Sequence, residues 1–367
     1  MCYVTSILQT YLKTKKMKKL FLLLTIPFFI NSCLNQKTVQ CQAEKMIETV
    51  EEVSKIDKIG GLTLVAPPKP FMKNPMIDIQ AVNSDWVAVI PYGFTRPTEP
   101  KVSFNINWQW WGEKEEGIVE SIRLAKAAGV NVMLKPQIYV PGDWTGTLDF
   151  HSAKAWESWE KENTEYTLYM ANLAEAQQVA LFCFGTEFKN AIKERPEYWV
   201  GLIRQVREVY NGKLTYASNW DNYHNIPFWS ELDYVGINAY FPLCESKTPK
   251  KEELLAHWKP VVKAMEDFQC TVDKPIIFTE FGYLSVDACA SKTWELENNI
   301  RSIETNEKAQ AVALDALFST FWEKDWWEGG FLWKWFPDMQ GHEGYPDKDY
   351  TPQGKKAEVV VQRWYAN

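Results

Sequence analysis

Short apolar runs alternate with longer amphipathic stretches from residue 58 to residue 367. The short runs are rich in β-branched and aromatic residues, which is typical of strands buried on both faces of a parallel sheet. They predict strands over residues 61–65, 87–91, 131–138, 180–184, 213–217, 234–238, 275–279 and 330–333. The longer stretches repeat apolar residues every three or four positions and predict helices over residues 115–128, 153–177, 196–210, 251–268 and 305–322.

Eight strands separated by helices indicate an α/β fold, and eight is the number that closes a TIM barrel. We therefore predict a single (β/α)8 barrel over residues 58–367, because no Pro/Gly/Ser-rich linker divides that stretch. An open, doubly wound sheet is the alternative. It is disfavoured because no glycine-rich phosphate-binding turn follows an early strand. The first unit is the least regular, since Pro67, Pro68 and Pro70 follow its strand.

The N-terminal segment has the pattern of a targeting signal. A lysine cluster at 13–19 precedes a short apolar run at 20–30, and Ile30-Asn31-Ser32-Cys33 follows. This order is typical of a secretory signal, and the apolar run is too short to span a bilayer. The last four residues resemble the lipobox of bacterial lipoproteins, in which the cysteine is lipidated.

The expected organisation is a lipoprotein signal peptide at 1–32, lipidation at Cys33, and a polar tether at 33–57. It places the protein in the cell envelope, held to a membrane by a lipid anchor on the periplasmic or surface face. Met17 is an alternative start, because a complete leader begins there. The alternative interpretation of Cys33 is an ordinary secretory signal with an incidental cysteine.

Composition points to a ligand-binding surface. The chain carries 18 Trp, 16 Tyr and 19 Phe, and so many large rings are expected to face a ligand in part. Its net charge is -7 and its lysine cluster is confined to the N-terminus, which disfavours a nucleic-acid partner. No Cys or His spacing suits a metal, so no metal and no cofactor are expected. Cys244, Cys270 and Cys289 are the candidates for one disulfide, and the sequence does not select the pair.

Two glutamates stand directly after buried strands. Glu187 follows the fourth predicted strand and Glu280 the seventh, each between a threonine and a phenylalanine. Residues at the carboxyl ends of these strands face each other across the mouth of a closed barrel, where TIM-barrel active sites lie. Facing carboxylates among aromatic rings suit retaining hydrolysis of a glycosidic bond, for which the two carboxyl groups lie about 5–5.5 Å apart.

The sequence around these glutamates resembles the clan A glycoside hydrolases and, more specifically, glycoside hydrolase family 113. The similarity rests on WG at 111–112, LAKAAGVNVMLKP at 124–136, GTEF at 185–188 and TEFGY at 279–283, and it covers roughly residues 60–365. It implies a TIM barrel that acts mainly as an endo-β-1,4-mannanase, with retention and without a metal.

The resemblance also implies roles for individual residues. Glu187 matches the acid/base, Glu280 the nucleophile, and Tyr240 the tyrosine that orients the nucleophile. Most of the clan has an asparagine just before the acid/base to bind the sugar 2-hydroxyl. This chain has Thr186 there, so Asn219 or Asn238 is expected to take that task.

Further residues at strand ends and in the loops are candidate substrate contacts. Trp333, at the end of the eighth strand, is the expected aromatic floor under the sugar at the cleavage point. Lys135, Asn219, Trp220 and Asn238 are candidate hydroxyl-binding or stacking residues at other strand ends. Trp111, in the loop after the second strand, either lines an outer subsite or packs within its loop.

The expected function is therefore retaining hydrolysis of a β-linked polysaccharide or oligosaccharide, by preference β-1,4-mannan or manno-oligosaccharides. Two alternatives remain open. One is that the same machinery acts on another β-glycan, and the other is that the chain is a carbohydrate-binding lipoprotein that does not cut.

Overall fold

The computed structural model describes residues 58–338 and 345–367. The predicted signal peptide, Cys33 and the tether lie outside these residues. Within them, no helix combines the length and the apolar character needed to cross a membrane.

A closed barrel of parallel strands forms the centre of the described chain. In chain order the strands are β1 (Ile59–Leu64), β2 (Trp86–Val89), β3 (Tyr92–Arg96), β4 (Glu99–Ser103), β5 (Asn131–Leu134), β6 (Gln137–Tyr139), β7 (Leu181–Thr186), β8 (Lys213–Asn219), β9 (Val235–Asn238), β10 (Ile276–Phe281) and β11 (Trp327–Trp335). The barrel order is β1-β2-β5-β7-β8-β9-β10-β11, and β11 pairs with β1 to close it. The predicted TIM barrel is thus confirmed, and each predicted strand coincides with a barrel strand.

Helices between the strands cover the outside of the barrel. They are α1 (Met76–Ala81), α2 (Glu115–Ala127), α3 (Ala153–Ala176), α4 (Lys189–Glu194), α5 (Pro196–Val209), α6 (Lys251–Val272), α7 (Thr293–Asn298), α8 (Glu307–Phe321) and α9 (Lys356–Tyr365). The five predicted helices are α2, α3, α5, α6 and α8. Helices α1, α4 and α7 have six residues each, too few to show a helical repeat in the sequence.

The barrel interior is a packed core rather than a pore, as expected for eight strands. Side chains from seven strands fill it: Ile59, Ala88, Met133, Leu181, Cys183, Ala217, Ile277 and Phe331. Strand β9 carries a glycine, Gly236, where neighbouring strands leave no room for a side chain: a Cβ there would stand 2.3 Å from the carbonyl oxygen of Tyr216. This solid interior leaves the mouth at the carboxyl ends of the strands as the place where polar side chains gather.

The segment predicted as one strand over 131–138 divides in two. Strand β5 ends at Leu134, and β6 pairs in parallel with β3 instead, while β4 pairs antiparallel with β3. Pro136 explains the division, since it has no N–H to continue the barrel ladder. The resulting accessory sheet, of order β4-β3-β6, lies where the sequence predicted only a loop after the second strand.

Two of the three cysteines that the sequence offered for a disulfide are thiols in the structure. Cys244 and Cys289 are free in the structure, so no bridge joins this pair. Burial raises the pKa of the Cys289 thiol well above its usual range. Cys183 is likewise a free thiol, buried in the barrel interior as an apolar side chain.

Candidate active site

Glu187 and Glu280 line one cleft at the mouth of the barrel. Glu280 is the fifth residue of β10 and is 7% exposed. Glu187 follows β7 directly with a φ of 57°, while its backbone N–H donates to the Ala217 carbonyl at 2.8 Å. A positive φ is uncommon for a residue with a side chain, and here the barrel ladder holds it in place. The cleft they line has a volume of about 560 Å³.

Three donors surround the Glu280 carboxylate. Lys135 forms an ion pair with Oε1, and the Gln137 side-chain amide donates to the same oxygen at 2.9 Å. The Tyr240 hydroxyl donates to Oε2 at 2.9 Å. A buried cation and two hydrogen-bond donors stabilise the ionised form of a carboxylate. The geometry of Tyr240 matches the orienting contact that the resemblance implied for it.

Glu187 lies in a different electrostatic environment. Its Oε1 accepts a hydrogen bond from the Asn238 side chain at 2.9 Å, and its Oε2 accepts one from the indole N–H of Trp144. Burial raises the pKa of Glu187, and the negative charge of Glu280 raises it further. The two hydrogen bonds and the Lys135 charge oppose that rise without cancelling it. The cleft therefore holds one carboxyl group biased towards the protonated form beside one paired with a cation.

Two residues predicted to bind sugar hydroxyls are committed to the glutamates instead. Lys135 is fully buried and does not line the cleft, because its ammonium group is taken by Glu280. Asn238 is also buried: its amide N–H₂ donates to Glu187, while its oxygen accepts from the Thr279 hydroxyl at 2.9 Å. The Thr279 bond fixes which end of the Asn238 amide faces Glu187. Both residues position carboxylates rather than face the ligand space.

The other predicted contacts divide between the cleft and its surroundings. Asn219, Trp220 and Trp333 line the cleft. Trp111 does not, since its ring packs edge-on against Phe71 at 5.4 Å between ring centroids. Trp111 therefore packs against the segment that follows β1 rather than lining the cleft.

Three residues in or beside the cleft were not predicted as site residues, because tertiary contacts bring them there. Trp144 reaches Glu187 from a loop after β6, and its ring lies over Gly146, where a Cβ would stand 2.4 Å away. Trp294 comes from the short helix α7 and stacks on Trp220 with ring planes 13° apart. Gln137 belongs to β6, which the sequence analysis had joined to β5 as one strand. The signal for Trp144 was a tryptophan in a loop on the same face of the barrel as the two glutamates.

A family comparison decides the class of this site. The model of glycoside hydrolase family 113 matches residues 69–355, which include both glutamates and the cleft around them. The chain belongs to glycoside hydrolase family 113. It is therefore a glycoside hydrolase, in agreement with the function class that the strand-end glutamates predicted. No curated protein matches the chain.

Solved structures of family 113 share this fold. The β-mannanase AaManA from Alicyclobacillus acidocaldarius, solved in complex with ManMIm, superposes with a TM-score of 0.73 at 23% identity, covering 85% of this chain and 98% of that one. A second family 113 β-1,4-mannanase complex gives a TM-score of 0.70 at 23% identity, covering 85% and 99%. A β-glucuronidase from Ruminococcus gnavus gives 0.56 at 18% identity, covering 84% of this chain and 50% of that one.

Residues with metal-binding side chains do not gather in the part of the chain that the structure describes. No group of three or more His, Cys, Asp or Glu residues is arranged there to hold an ion. The polar groups of the cleft are instead engaged with one another, as the bonds to Glu187 and Glu280 show.

The coupling between the two glutamates yields a first prediction. Glu280→Gln removes a negative charge that raises the pKa of Glu187, so the pKa of Glu187 falls in this variant. A carbon-detected NMR titration of the glutamate carboxyl groups measures it. Glu120→Gln, on the exposed face of α2, is the matched control and leaves the titration of Glu187 unchanged. If the pKa of Glu187 is unchanged or higher in Glu280→Gln, the charge of Glu280 does not act on Glu187.

Proposed function

We propose that this enzyme is a retaining β-glycanase that hydrolyses β-1,4-mannan or manno-oligosaccharides by double displacement. The observation that carries the proposal is the pair of carboxyl groups in one cleft, of which one is held by a buried lysine and the other has a raised pKa. Retaining hydrolysis needs this division between a nucleophile and a protonated acid. Membership of family 113 and similarity to β-mannanase structures support mannan as the substrate.

In the first step the Glu280 carboxylate attacks the anomeric carbon of the sugar seated against Trp333. The bond from that carbon to the glycosidic oxygen breaks, and Glu187 gives its proton to the departing oxygen. Tyr240, donating to Oε2 of Glu280, holds the attacking group in one orientation. The result is a glycosyl ester on Glu280 and a free leaving-group sugar.

In the second step the ester has removed the negative charge of Glu280, while Lys135 remains positive. Loss of the Glu280 charge lowers the pKa of Glu187, which becomes the base. It takes a proton from water as the water oxygen attacks the anomeric carbon and the Glu280 carboxylate leaves. The donors Asn238 and Trp144 suit Glu187 in this charged state. Two inversions at the same carbon give net retention.

The division of roles predicts different defects for the two glutamates. Glu280→Ala abolishes formation of the ester and removes activity on β-mannan. Glu187→Ala lowers kcat by about 10²–10⁴-fold on mannan but much less on aryl glycosides with good leaving groups, which need no acid. With activated aryl glycosides, azide attacks the glycosyl ester of Glu187→Ala and yields a β-glycosyl azide, whereas azide that replaces the missing carboxylate of Glu280→Ala yields the α-glycosyl azide. Reducing-sugar release and product NMR measure these effects.

Glu208→Ala is the control variant: it removes an exposed carboxylate from the outer helix α5 and retains the wild-type rate. If Glu187→Ala and Glu280→Ala both hydrolyse β-mannan at that rate, the assignment fails. A panel of other β-glycans, with mass analysis of the products, separates a wrong substrate from a wrong mechanism. Binding without hydrolysis across the panel would favour a non-catalytic carbohydrate-binding protein.

The Trp144 hydrogen bond generates a prediction about pH. Because the indole N–H favours ionised Glu187, Trp144→Phe raises the pKa of Glu187, and the acid stays protonated to higher pH. The basic limb of the kcat/KM profile on mannan moves to higher pH, since removing a hydrogen bond to the charged form disfavours that form. Trp294→Phe changes a cleft tryptophan that has no such bond and leaves the limb in place. A basic limb that does not rise in Trp144→Phe would contradict this role.

We further propose that the protein is a lipoprotein of the cell envelope, anchored through Cys33. The support is the order of the lysine cluster, the apolar run at 20–30 and the Ser32-Cys33 pair. In the full chain expressed in a bacterium, Cys33 takes up labelled palmitate and the protein sediments with membranes. Cys33→Ala abolishes both, whereas Cys41→Ala, the next cysteine along the chain, retains both. Equal labelling of the two variants would refute the anchor.

A further inference from the structure

We propose that Thr279 is a positioning residue for the acid/base: its hydroxyl keeps the N–H₂ end of the Asn238 side chain turned towards Glu187, so that the proton of Glu187 stays available to the substrate. The inference rests on the proposed function, because it takes Glu187 as the acid/base. It extends that function to a buried residue that acts on the acid only through the amide of Asn238.

Three side chains form one chain of hydrogen bonds that ends at the acid. The Thr279 hydroxyl donates to Oδ1 of Asn238 at 2.9 Å, and the Asn238 N–H₂ group donates to Oε1 of Glu187 at 2.9 Å. Thr279 is fully buried and Asn238 is 1% exposed. Water therefore does not replace a partner that either side chain loses, and an unpaired buried polar group is costly.

The hydroxyl selects one of the two orientations of the amide. An asparagine side chain has an acceptor end and a donor end. As the structure has it, the Thr279 proton meets the amide oxygen, and the amide N–H₂ meets the carboxyl group. A reversed amide would turn its N–H₂ towards the Thr279 oxygen and deprive the hydroxyl proton of this acceptor. The buried hydroxyl therefore favours the orientation in which Glu187 receives a donor.

A bulge in β10 brings Thr279 and Glu280 to the mouth together. Phe278 pairs with Ile237 of β9 and Glu280 pairs with Asn238, so Thr279 is an extra residue between the two pairs. In a regular strand successive side chains point to opposite faces. A bulge re-aims side chains and is frequent beside active sites. Here it allows one residue to reach the support of the acid while the next one lines the cleft.

The fixed amide serves both steps of the reaction. When Glu187 is protonated, the N–H₂ group of Asn238 offers no acceptor, so the acid proton remains available for the glycosidic oxygen. When Glu187 is ionised, the same N–H₂ group stabilises the charge and lowers the pKa. A reversed amide would do the opposite in each step, since its oxygen would accept the acid proton and favour the protonated form.

Other groups also act on Glu187, and the Thr279 variants leave their charges unchanged. The charged and titratable groups that face it are Glu280 on β10, Lys135 after β5 and Tyr216 on β8, and further titratable residues line the same cleft: Asp221 with its partner Lys189, Tyr240, Glu297 and Tyr350. Burial raises the pKa of Tyr216 well above its usual range, so that it stays neutral. A changed titration of Glu187 in a Thr279 variant therefore reports on the amide.

The test is the carbon-detected NMR titration of Glu187 in variants that remove or keep the hydroxyl. Thr279→Val keeps the branched shape and Thr279→Ala leaves space, and both raise the pKa of Glu187. Thr279→Ser keeps the hydroxyl and the wild-type pKa. Thr215→Val is the control: it removes a buried hydroxyl that donates to the Tyr234 carbonyl at 3.1 Å and leaves the titration unchanged. An unchanged or lower pKa in a folded Val or Ala variant overturns the inference.

Kinetics adds a result that damaged packing would not produce. In Thr279→Val, kcat/KM on mannan falls about tenfold, a fraction of the loss expected without the acid, whereas kcat/KM on an aryl β-mannobioside with a good leaving group falls much less. Equal losses on both substrates would contradict a role in directing the proton.

The titration separates failure of the inference from failure of the proposed function. A raised Glu187 pKa in Thr279→Val that Thr279→Ser reverses supports the positioning role even where the wild type hydrolyses no mannan and the proposed function fails. A Glu187 pKa that is the same in wild type and Thr279→Val overturns the positioning role even where the wild type hydrolyses mannan.

Discussion

The buried ion pair between Lys135 and Glu280 is the interaction on which the rest of the site depends. Removing two charges from water is costly, and leaving one without its partner costs several kcal/mol. Lys135 follows β5 and Glu280 belongs to β10, so the pair forms only when the barrel brings these distant strands to a common mouth. Barrel closure and the charges of the cleft are thus linked, since opening the barrel would separate Lys135 from Glu280.

The position of that lysine also makes the two carboxyl groups unequal. Lys135 touches Glu280, whereas Glu187 receives only neutral donors from Asn238 and Trp144. Burial therefore dominates at Glu187 and raises its pKa, with the charge of Glu280 adding to the effect. One cation placed on one side of the cleft is enough to give two neighbouring carboxyl groups different electrostatic environments.

The sequence predicted the barrel well because strands buried on both faces leave long apolar runs, as in Leu181–Thr186 and Ile276–Phe281. It placed Glu187 and Glu280 correctly in the same cleft, since strand ends meet at the mouth of a barrel. The accessory sheet was missed because its strands are short and partly exposed, as in Glu99–Ser103. Lys135 was misassigned because a sequence shows that a polar residue ends a strand but not which side chain it meets.

The accessory sheet positions one of the donors to Glu280. After Pro136 the chain leaves the barrel and pairs with β3, with Gln137 opposite Tyr92 and Tyr139 opposite Phe94. Side chains two residues apart share a face of a strand, so Gln137 and Tyr139 point the same way. Gln137 donates to Glu280, while the Tyr139 ring lies beside Phe94 on the accessory sheet. The strand that carries a donor to Glu280 is therefore paired outside the barrel, so the hydrogen bond from Gln137 depends on the accessory sheet as well as on barrel closure.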